Sequence, residues 1–407
     1  MTSKCLVCAS GSVELFLDLG ATSLANKFLA KEELSRPEPA YPLRVGHCAE
    51  CGHVQLVETV APKAMFDHYL YVSSMSDTLT AHLRSLSDRV VARLGLGAKD
   101  LVIDVGSNDG TLLSGFRRHG VRTLGVDPAA NLAGMARKAS VETLTAYFGD
   151  ATARQVVERY GRASAVTATN VFPHLPRLED FLAGLDRVLE AKGAFVLEAH
   201  YLQDLLDAGA FDTIYHEHCS YWSLGPMVRL FAAAGFEVVD AERLPIHHGQ
   251  LRAWVRRKGV EAVSDSVHRL LEEEARRGFP KIAPFRAFAA ATLVLKLELN
   301  AAIDSLRAAG KRVVGYGAPA KGNTLLTFLG IGPDRIEYIA DKSPLKQGRF
   351  TPGTHIPVVG PERLLADQPD YVLLLAWNFA EEIMAQQSEY RRRGGRFIVP
   401  VPRVAIV

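Results

Sequence analysis

Four of the five cysteines lie in two Cys-x-x-Cys pairs near the N-terminus, Cys5 with Cys8 and Cys48 with Cys51, separated by 39 residues. Two such pairs can form two tight turns that together supply four thiolates. Four thiolates complete the tetrahedral shell of a structural zinc ion and leave it no open position for catalysis. We therefore predict a zinc-binding N-terminal domain over residues 1–75, in which the metal contributes to folding.

Two other interpretations of these cysteines stay open. The thiols could form two disulfides, but the first residues lead directly into Cys5 without an apolar export signal, and disulfides are rare in a reducing cytosol. Alternatively, His47 or His53, which flank the second pair, could replace one thiolate. We expect a cytoplasmic protein whose cysteines bind metal.

The balance of charges excludes several classes of partner. Across 407 residues, 47 Lys and Arg face 45 Asp and Glu, which gives a net charge of +2. A chain so balanced lacks the basic surface that nucleic acid or an anionic membrane requires. No apolar run approaches the roughly 20 residues of a membrane-spanning helix. We expect a small-molecule substrate, and a monomer or weak dimer.

The remainder of the chain has the pattern of a multidomain α/β protein. From about residue 76, amphipathic helices alternate with short β-branched runs, which is typical of parallel strands joined by crossover helices. We predict a central Rossmann-like domain over residues 76–258 that ends in an antiparallel strand pair. A helical connector, broken near residues 278–280, follows over 259–310, and a smaller doubly wound α/β domain occupies 311–407.

The first strand of the central domain ends in a glycine-bearing turn that contains Asp104, Gly106, Asn108 and Gly110, and the next strand ends in Asp127. Glycines allow backbone N–H groups to approach a ligand closely. An acidic residue at the tip of the second strand is suited to accept hydrogen bonds from ribose hydroxyls. The pattern therefore predicts a ligand that carries a ribose.

The turn favours S-adenosylmethionine over a dinucleotide. It lacks the G-x-G-x-x-G order, and Asp104 would repel a diphosphate but can receive the amino group of a methionine moiety. Asp150 and Ala151, after the third strand, are expected near the adenine, and Asn170, after the fourth, belongs to the same predicted site. A glycine turn that serves packing alone is the alternative, but it leaves Asp127 unexplained.

The densest polar run of the chain is residues 215–222, and it follows the strand expected to border the cofactor. Together with His174 it predicts a catalytic cleft. Successive residues of a strand face opposite sides, so Glu217 and His218 can share one site only if the run is a loop. Cys219 is interpreted as a packing residue of this loop.

A catalytic metal held by histidines is an alternative for the same region. His216 and His218 could bind it together with His247 or His248. The chain has no H-E-x-x-H spacing in support of this interpretation.

The C-terminal domain opens with a second glycine-bearing turn, which contains Gly317, Ala318 and Lys321. Its backbone N–H groups, the helix that follows and the lysine suit a diphosphate. Asp341 closes the next strand and could accept from a sugar hydroxyl or a base N–H. The loop after Asp341 adds positive charge through Lys342, Lys346 and Arg349.

The motifs of this chain resemble those of the sugar C-methyltransferases of deoxysugar biosynthesis, in particular the C-3′ methyltransferases that act on dTDP-linked 4-keto-deoxysugars. The resemblance runs the length of the chain. It rests on the double Cys-x-x-Cys, Tyr69-Leu-Tyr71-Val-Ser-Ser74, Asp104-Val-Gly-Ser-Asn-Asp-Gly110, Asn170-Val-Phe-Pro-His174, Tyr215-His-Glu-His218-Cys-Ser-Tyr-Trp222 and Gly315-Tyr-Gly-Ala-Pro-Ala-Lys-Gly322.

The resemblance implies an enzyme of antibiotic deoxysugar biosynthesis with a zinc-binding domain, a central S-adenosylmethionine domain and a C-terminal domain that helps to hold the sugar nucleotide. It implies that His218 is the general base, taking the proton next to the C4 ketone so that an enolate attacks the sulfonium methyl. The residues implied to shape the site or contact the sugar are Tyr69, Tyr71, His174, Tyr215, Glu217, Tyr221 and His248. Gln250 stands where the family pattern has Ser, and His248 where it has Gly.

Three alternatives to C-3′ methylation stay open. Methylation at C-5′ is chemically equivalent, because the C4 ketone activates both neighbours. A nucleotide-sugar oxidoreductase or epimerase would place a nicotinamide cofactor on the C-terminal turn. A zinc-ribbon regulatory or scaffold protein would only bind ligands.

Overall fold

The computed structural model describes residues 4–67, 69, 71–246 and 249–407, and these residues form three β-sheets. An antiparallel sheet lies at the N-terminus, a mixed sheet in the centre and a largely parallel sheet at the C-terminus. This arrangement confirms the predicted multidomain α/β class.

The N-terminal sheet carries the cysteines on its turns. Its elements are β1 (Val13–Thr22), β2 (Tyr41–Cys48) and β3 (Val54–Leu56), followed by the short helix α1 (Lys63–Phe66). The strands pair antiparallel in the order β1-β2-β3. Cys48 ends β2, and its N–H donates to the His53 carbonyl over 2.8 Å, which closes the turn into β3.

The central sheet has the doubly wound order β10-β11-β8-β7-β4-β5-β6. Its elements, with the short strand β9 that lies between them in sequence, are α2 (Asp77–Leu94), β4 (Leu101–Val105), α3 (Thr111–Arg117), β5 (Arg122–Asp127), α4 (Ala130–Lys138), β6 (Thr143–Thr145), α5 (Asp150–Tyr160), β7 (Ala163–Thr169), α6 (Leu178–Val188), β8 (Leu189–His200), α7 (Leu202–Asp207), β9 (Ser220–Tyr221), α8 (Leu224–Ala233), β10 (Phe236–Leu244) and β11 (Gln250–Arg257). Every residue of β4 is buried, Asp104 included, as expected for a central parallel strand covered by helices on both faces.

Strand β4 marks the point where the order of the central sheet reverses, since it pairs in parallel with both β5 and β7. In open α/β sheets, ligands bind beyond the carboxyl ends of the strands at such a point. The predicted antiparallel pair at the end of the domain is confirmed as β10 and β11.

The short strand β9 joins the N-terminal sheet rather than the central one. Val54 of β3 pairs with Tyr221, and Gln55 pairs with Ser220. The second half of the polar run is therefore hydrogen-bonded to the strand that follows the second cysteine pair.

The connector and the C-terminal domain match the predicted pattern. The helices α9 (Asp265–Arg276) and α10 (Ala283–Ala308) are separated at residues 278–280 as expected, and the elements that follow are β12 (Val313–Tyr316), α11 (Ala320–Leu329), β13 (Ile339–Ala340), β14 (Val358–Val359), α12 (Glu362–Asp367), β15 (Tyr371–Leu374), α13 (Ala380–Gln386), α14 (Ser388–Arg392), β16 (Arg396–Val399) and β17 (Ala405–Ile406). Their strands run in the order β14-β13-β12-β15-β16-β17, with β17 antiparallel to β16.

Packing joins the two ends of the chain. One continuous apolar core includes Leu43 of the N-terminal sheet, Phe211 of the central region, Phe285 of α10 and Val313 of the C-terminal sheet. The central sheet has separate apolar clusters of its own. In the described part of the chain, no helix combines the length and the apolar character needed to cross a membrane.

Candidate active site and zinc centre

The four N-terminal cysteines converge on one point. Their Sγ atoms all lie within 4.8 Å of one another, with Cys5 3.5 Å from Cys51 and Cys8 3.6 Å from Cys48. A disulfide would require about 2.05 Å. Tetrahedral zinc with Zn–S bonds of about 2.3 Å places its sulfurs about 3.8 Å apart. The set therefore fits zinc and not two disulfides.

The flanking histidines have other partners. The Nε2–H of His47 donates to the carbonyl of Phe279 over 3.2 Å, and the Nε2 of His53 lies 3.1 Å from the hydroxyl of Ser220. Burial lowers the pKa of His53 to about 3. Both rings attach the N-terminal sheet to the rest of the molecule, while the four thiolates form the predicted zinc shell.

The turn after β4 requires its glycines. Gly106 has a φ of +67°, and a Cβ at this position would lie 2.2 Å from a methyl carbon of Val171. Gly110 has a φ of +83° and is the N-cap residue of α3. A side chain at either position would be strained, and at Gly106 it would also collide with the loop after β7.

Asp127 ends β5 beside this turn. Its carboxylate accepts from the backbone N–H groups of Asn108 and Ala129, each over 2.8 Å. Asn108 in turn accepts from the N–H of Ser73 and donates to the carbonyl of Tyr71. The turn, the tip of β5 and the Tyr71–Ser73 segment therefore form one hydrogen-bonded unit.

The other predicted cofactor residues have varied surroundings. Asp104 is buried inside β4, where Thr167 donates to it over 2.7 Å, and burial raises its pKa to about 7. Asp150 begins α5 ahead of Ala151, and its carboxylate is bound by Arg154 and Arg187, which lower its pKa. Asn170 follows β7 with a φ of +57°, and its side-chain oxygen accepts from Gln250 over 2.8 Å.

His218 is held by two hydrogen bonds to backbone carbonyls. The His218 N–H donates to the Tyr215 carbonyl, so this part of the run is a turn and not a strand. A turn is what allows Glu217 and His218 to belong to one site. The Nδ1–H of His218 donates to the carbonyl of Thr213 over 2.7 Å. Burial lowers the pKa of His218 well below its usual value. The ring is therefore neutral, and its Nε2 carries the lone pair.

Three aromatic rings surround His218. The ring centroids of Tyr215, His174 and His200 lie 4.0, 5.0 and 5.3 Å from that of His218. The Nδ1–H of His174 donates to the carbonyl of Glu217 over 2.7 Å, and burial lowers the pKa of His174 to about 4. The cluster therefore places three aromatic rings around one potential base.

Glu217 is held from the N-terminal domain. Its carboxylate accepts from the side chain of Asn26 over 2.8 Å and from the hydroxyl of Tyr69 over 2.9 Å. Burial raises its pKa to about 7. Thr213, rather than Glu217, accepts the Nδ1 hydrogen bond that fixes His218, so Glu217 does not orient the base through this bond.

The remaining predicted substrate residues of this region differ in exposure. Tyr71 is 47% exposed, whereas Tyr221 is buried in β9, and its hydroxyl has no hydrogen-bond partner among the described residues. His216 faces away from the base, because its Nε2 lies 3.2 Å from the carbonyls of Tyr41 and Pro42. His248 lies outside the described residues.

The catalytic-metal alternative gains no support. Within residues 4–67, 69, 71–246 and 249–407, the cysteine cluster is the group found with metal-binding geometry. His247, which this alternative also invoked, lies outside these ranges.

The backbone of the glycine-bearing turn in the C-terminal domain is hydrogen-bonded to side chains of the same domain. Gly317 has a φ of +82°, and the N–H of Ala318 donates to Asp341 over 2.5 Å. The ammonium of Lys346 donates to the Ala318 carbonyl over 2.8 Å. Asp341 therefore holds the turn in place from the tip of β13.

The predicted cations of this domain also have partners within the chain. Lys321 places its ammonium 4.2 Å from the ring centre of Trp377, and burial lowers its pKa to about 8. Lys342 donates to the side chain of Gln386, and Arg349 donates to the carbonyl of Phe28 over 3.5 Å.

Several residues of the site were not predicted from the sequence. No motif surrounds Asn26, Thr213 or Asn131. Asn26 nevertheless donates to Glu217, and Asn131 accepts from the N–H of Tyr69 and donates to its carbonyl. Phe66 packs edge-on against His174 with ring centres 5.2 Å apart. Each of these contacts except that of Thr213 spans distant parts of the chain, so local spacing gives no signal for it.

Three parts of the chain each match a known protein family. Residues 5–66 match a family described as a zinc binding domain, residues 79–241 match a methyltransferase domain, and residues 245–402 match a C-methyltransferase C-terminal domain. The C-methyltransferase NovU of Streptomyces niveus is 38% identical over 405 residues, which cover 99% of this chain and 96% of NovU.

Two solved structures resemble a little less than half of the chain. Magnesium protoporphyrin IX methyltransferase of Synechocystis with bound SAM has a TM-score of 0.32 at 15% identity, covering 44% of this chain and 79% of that one. The PH0226 protein of Pyrococcus horikoshii has a TM-score of 0.38 at 16% identity, covering 49% and 97%.

The full-length match and the domain matches agree with the geometry. They favour methyl transfer over the oxidoreductase and scaffold alternatives, and the zinc-domain match agrees with the converging thiols. The chain therefore belongs to the C-methyltransferase family and is an S-adenosylmethionine-dependent enzyme with a zinc-binding N-terminal domain.

Proposed function

We propose that this enzyme methylates C-3′ of a dTDP-linked 4-keto-deoxysugar, with His218 as the general base. The observation that carries the proposal is the hydrogen bond from His218 Nδ1–H to the Thr213 carbonyl. It leaves the Nε2 lone pair of a buried, neutral imidazole available to accept a proton. The full-length likeness to a C-methyltransferase supports the class of reaction.

Methylation at carbon requires an acceptor with carbanion character. S-adenosylmethionine, when bound, would supply an electrophilic methyl group and would leave as S-adenosylhomocysteine, whose sulfur keeps the electron pair of the broken S–C bond. His218 Nε2 takes the proton from C-3′, and the electron pair of the C–H bond passes into an enolate with the C4 ketone. The enolate carbon is then the nucleophile, and the proton on His218 leaves to solvent.

The developing enolate oxygen needs a hydrogen-bond donor. Neutral His174 has a single N–H, which the Glu217 carbonyl accepts, so His174 is better suited to shaping the site. Tyr215, whose ring lies against His218, and Tyr71 carry hydroxyl groups that can donate. We assign this role to Tyr215 first, because Tyr215 is half-buried whereas Tyr71 is 47% exposed, and a donor shielded from water stabilises charge more strongly.

The remaining assignments divide between the two sheets. We assign the ribose and methionine moieties to the β4 and β5 tips, with the backbone at Asp150 and Ala151 on the adenine side and Asn170 beside it. We assign the sugar nucleotide to the C-terminal turn and its loop. The residues in that assignment are Tyr69, Tyr221, Gly317, Ala318, Lys321, Asp341, Lys342 and Arg349.

Replacing Asp127 with alanine should weaken cofactor binding roughly 10- to 100-fold, because hydrogen bonds to a charged group contribute about 1.5–3 kcal/mol. The loss also leaves the N–H groups of Asn108 and Ala129 without their acceptor. Calorimetric titration with S-adenosylhomocysteine measures the change.

Asp100→Ala is the matched control for this variant. Asp100 precedes the opposite end of β4 and likewise accepts a backbone N–H, from Gly97 over 2.8 Å. Its loss should affect stability but leave the affinity unchanged. Equal losses of affinity in both variants would contradict the assignment of Asp127.

Activity should fall as the pH drops through about 7, because Glu217 has its pKa raised to about that value. Asn26 and Tyr69 both donate to Glu217, so protonation removes an acceptor from one of them. Glu217→Gln should lower kcat about tenfold, for loss of one charge-assisted bond, and should remove this limb of the kcat–pH profile.

Glu274→Gln is the matched control for the pH profile. Glu274 is a buried carboxylate in α9 that accepts from the hydroxyl of Tyr201 over 2.9 Å. This variant should keep the wild-type profile. If the limb near pH 7 persists in Glu217→Gln, a different group titrates there.

The proposal as a whole is tested with labelled S-adenosylmethionine and a panel of dTDP-4-keto-deoxysugars. We expect label transfer, with the methyl group assigned to C-3′ by NMR. A methyl group at C-5′ would correct the position, and the absence of transfer to any 4-keto sugar would overturn the substrate class.

A further inference from the structure

A buried carboxylate lies directly beside the residue that holds the proposed base. Asp212 is fully buried and precedes Thr213, whose carbonyl accepts from His218. One carboxylate oxygen of Asp212 accepts from the indole N–H of Trp377 over 2.6 Å. Its other oxygen is buried without a hydrogen-bond partner in the described ranges.

The charge opposite Asp212 comes from the C-terminal domain. Lys321, in the first turn of α11, is half-buried, and its ammonium lies 4.2 Å from the ring centre of Trp377. The negative charge of Asp212 favours the protonated form of Lys321 and opposes burial, which lowers the pKa of the lysine. Asp212 and Lys321 thus contact the same indole and form a cluster across two domains, with Asp212 from the central region and Lys321 and Trp377 from the C-terminal domain.

Such a cluster is not explained by stability alone. Desolvating two charges costs several kcal/mol per ion, and the attraction between them frequently only offsets that cost. The cluster does fix the position of a short turn, Phe211–Thr213, that carries the carbonyl on which His218 depends.

We propose that Asp212, held by its hydrogen bond from Trp377 and near the positive charge of Lys321, is a positioning residue that keeps His218 in the Nδ1–H tautomer. This inference rests on the proposed role of His218 as the base. Anchored to the C-terminal domain, the turn presents the Thr213 carbonyl to Nδ1. When that anchor is lost, the carbonyl can move, the ring can carry its proton on Nε2, and the lone pair that removes the substrate proton is gone.

The test compares Asp212→Asn with Asp212→Ala. Asparagine keeps the shape and an acceptor for Trp377 but removes the charge, whereas alanine removes both. We expect kcat to fall up to roughly 10²-fold in Asp212→Ala, the scale of a small misplacement of a catalytic group, and less in Asp212→Asn. The KM for the sugar nucleotide and the affinity for S-adenosylhomocysteine should change little.

The decisive readout is the tautomer of His218, measured by ¹⁵N NMR of histidine-labelled enzyme and assigned by the signal missing from His218→Asn. The wild type should show a proton on Nδ1, and Asp212→Ala a mixture with Nε2–H. An unchanged tautomer together with unchanged kcat in Asp212→Ala overturns the inference. Because this readout does not need turnover, it judges the inference even if His218→Asn proves active and the proposed function fails.

A control variant separates positioning from general loss of stability. Asp240→Asn makes the same chemical change on the edge strand β10, where Asp240 accepts from Ser264 and Ser266. It should lower Tm without altering the tautomer or kcat. If Asp240→Asn changes the His218 tautomer and kcat as much as Asp212→Asn does, these changes reflect a general loss of stability and the inference is wrong.

Lys321 has two possible tasks that the same measurements distinguish. If Lys321 acts as the partner of Asp212, Lys321→Met should lower kcat and give a mixture of His218 tautomers. The double variant Asp212→Asn with Lys321→Met should recover Tm relative to Lys321→Met, because no unpaired charge stays buried. A raised KM for the sugar nucleotide with an unchanged His218 tautomer would show that Lys321 binds the substrate and does not help to position His218.

Discussion

His218→Asn should abolish turnover while leaving the affinity for S-adenosylhomocysteine near that of the wild type. A placed general base contributes about 10² to 10⁴ in rate, and asparagine has no lone pair that can take the proton at neutral pH. Its side-chain amide can still donate to the Thr213 carbonyl that His218 uses, so the surrounding turn should persist. Steady-state kinetics and calorimetry measure the two effects separately.

His216→Asn is the matched control, two residues away in the same turn. His216 donates to backbone carbonyls of β2 and does not contact the ring of His218. Its replacement should preserve turnover. A loss of activity in His216→Asn equal to that in His218→Asn would instead favour the catalytic-metal alternative, in which both rings are needed.

Proton exchange isolates the step assigned to His218. With S-adenosylhomocysteine bound, no methyl transfer can occur, and wild-type enzyme in D₂O should still exchange the proton at C-3′ of the substrate. His218→Asn should not. Exchange at the wild-type rate in the variant would assign the base to another residue.

The parts of the fold that the sequence predicts are those encoded over short stretches of chain. The two cysteine pairs, the glycine turn before α3, Asp127 at a strand tip and the antiparallel pair β10 and β11 each follow from local spacing or periodicity. The polar turn around His218 was predicted because several ionisable side chains lie within eight residues.

The contacts that complete the site depend on distant residues. Asn26 and Glu217 are 191 positions apart, and Trp377 and Asp212 are 165 apart. The two-residue strand β9 is too short to have a periodicity. Lys321 also has a partner that its local sequence does not indicate. A lysine after a glycine-bearing turn is typical of diphosphate binding, but the buried carboxylate whose charge acts on Lys321, that of Asp212, lies more than 100 residues away in the sequence.

Loss of zinc should abolish turnover through the protein fold, although the metal lies outside the predicted catalytic residues. Cys48→Ser should lose bound metal, lower Tm and stop methyl transfer, whereas S-adenosylhomocysteine binding should persist. Structural zinc contributes about 10–16 kcal/mol in small peptide domains. The central sheet has apolar clusters of its own, to which the first cysteine pair adds the half-buried Leu6 and Val7, so we expect its fold and its cofactor site to persist.

The path from zinc to His218 is short along hydrogen bonds. The second cysteine turn leads into β3, where the N–H of Leu56 donates to the carbonyl of Cys219 over 2.9 Å and Gln55 pairs with Ser220. Strand β3 therefore fixes the residues immediately after His218. When the metal is lost, β3 loses the closed turn that orders it, and the polar turn loses its neighbouring strand.

Cys219→Ser is the matched control for the metal, because it changes a thiol beside the same strand pair but outside the zinc shell. It should retain one zinc per chain by elemental analysis and a Tm above that of Cys48→Ser. Chelation of the wild-type enzyme should reproduce the Cys48→Ser result, and zinc should reverse it. A zinc-free Cys48→Ser enzyme with normal turnover would contradict this coupling, since β3 would then hold the catalytic turn without the metal.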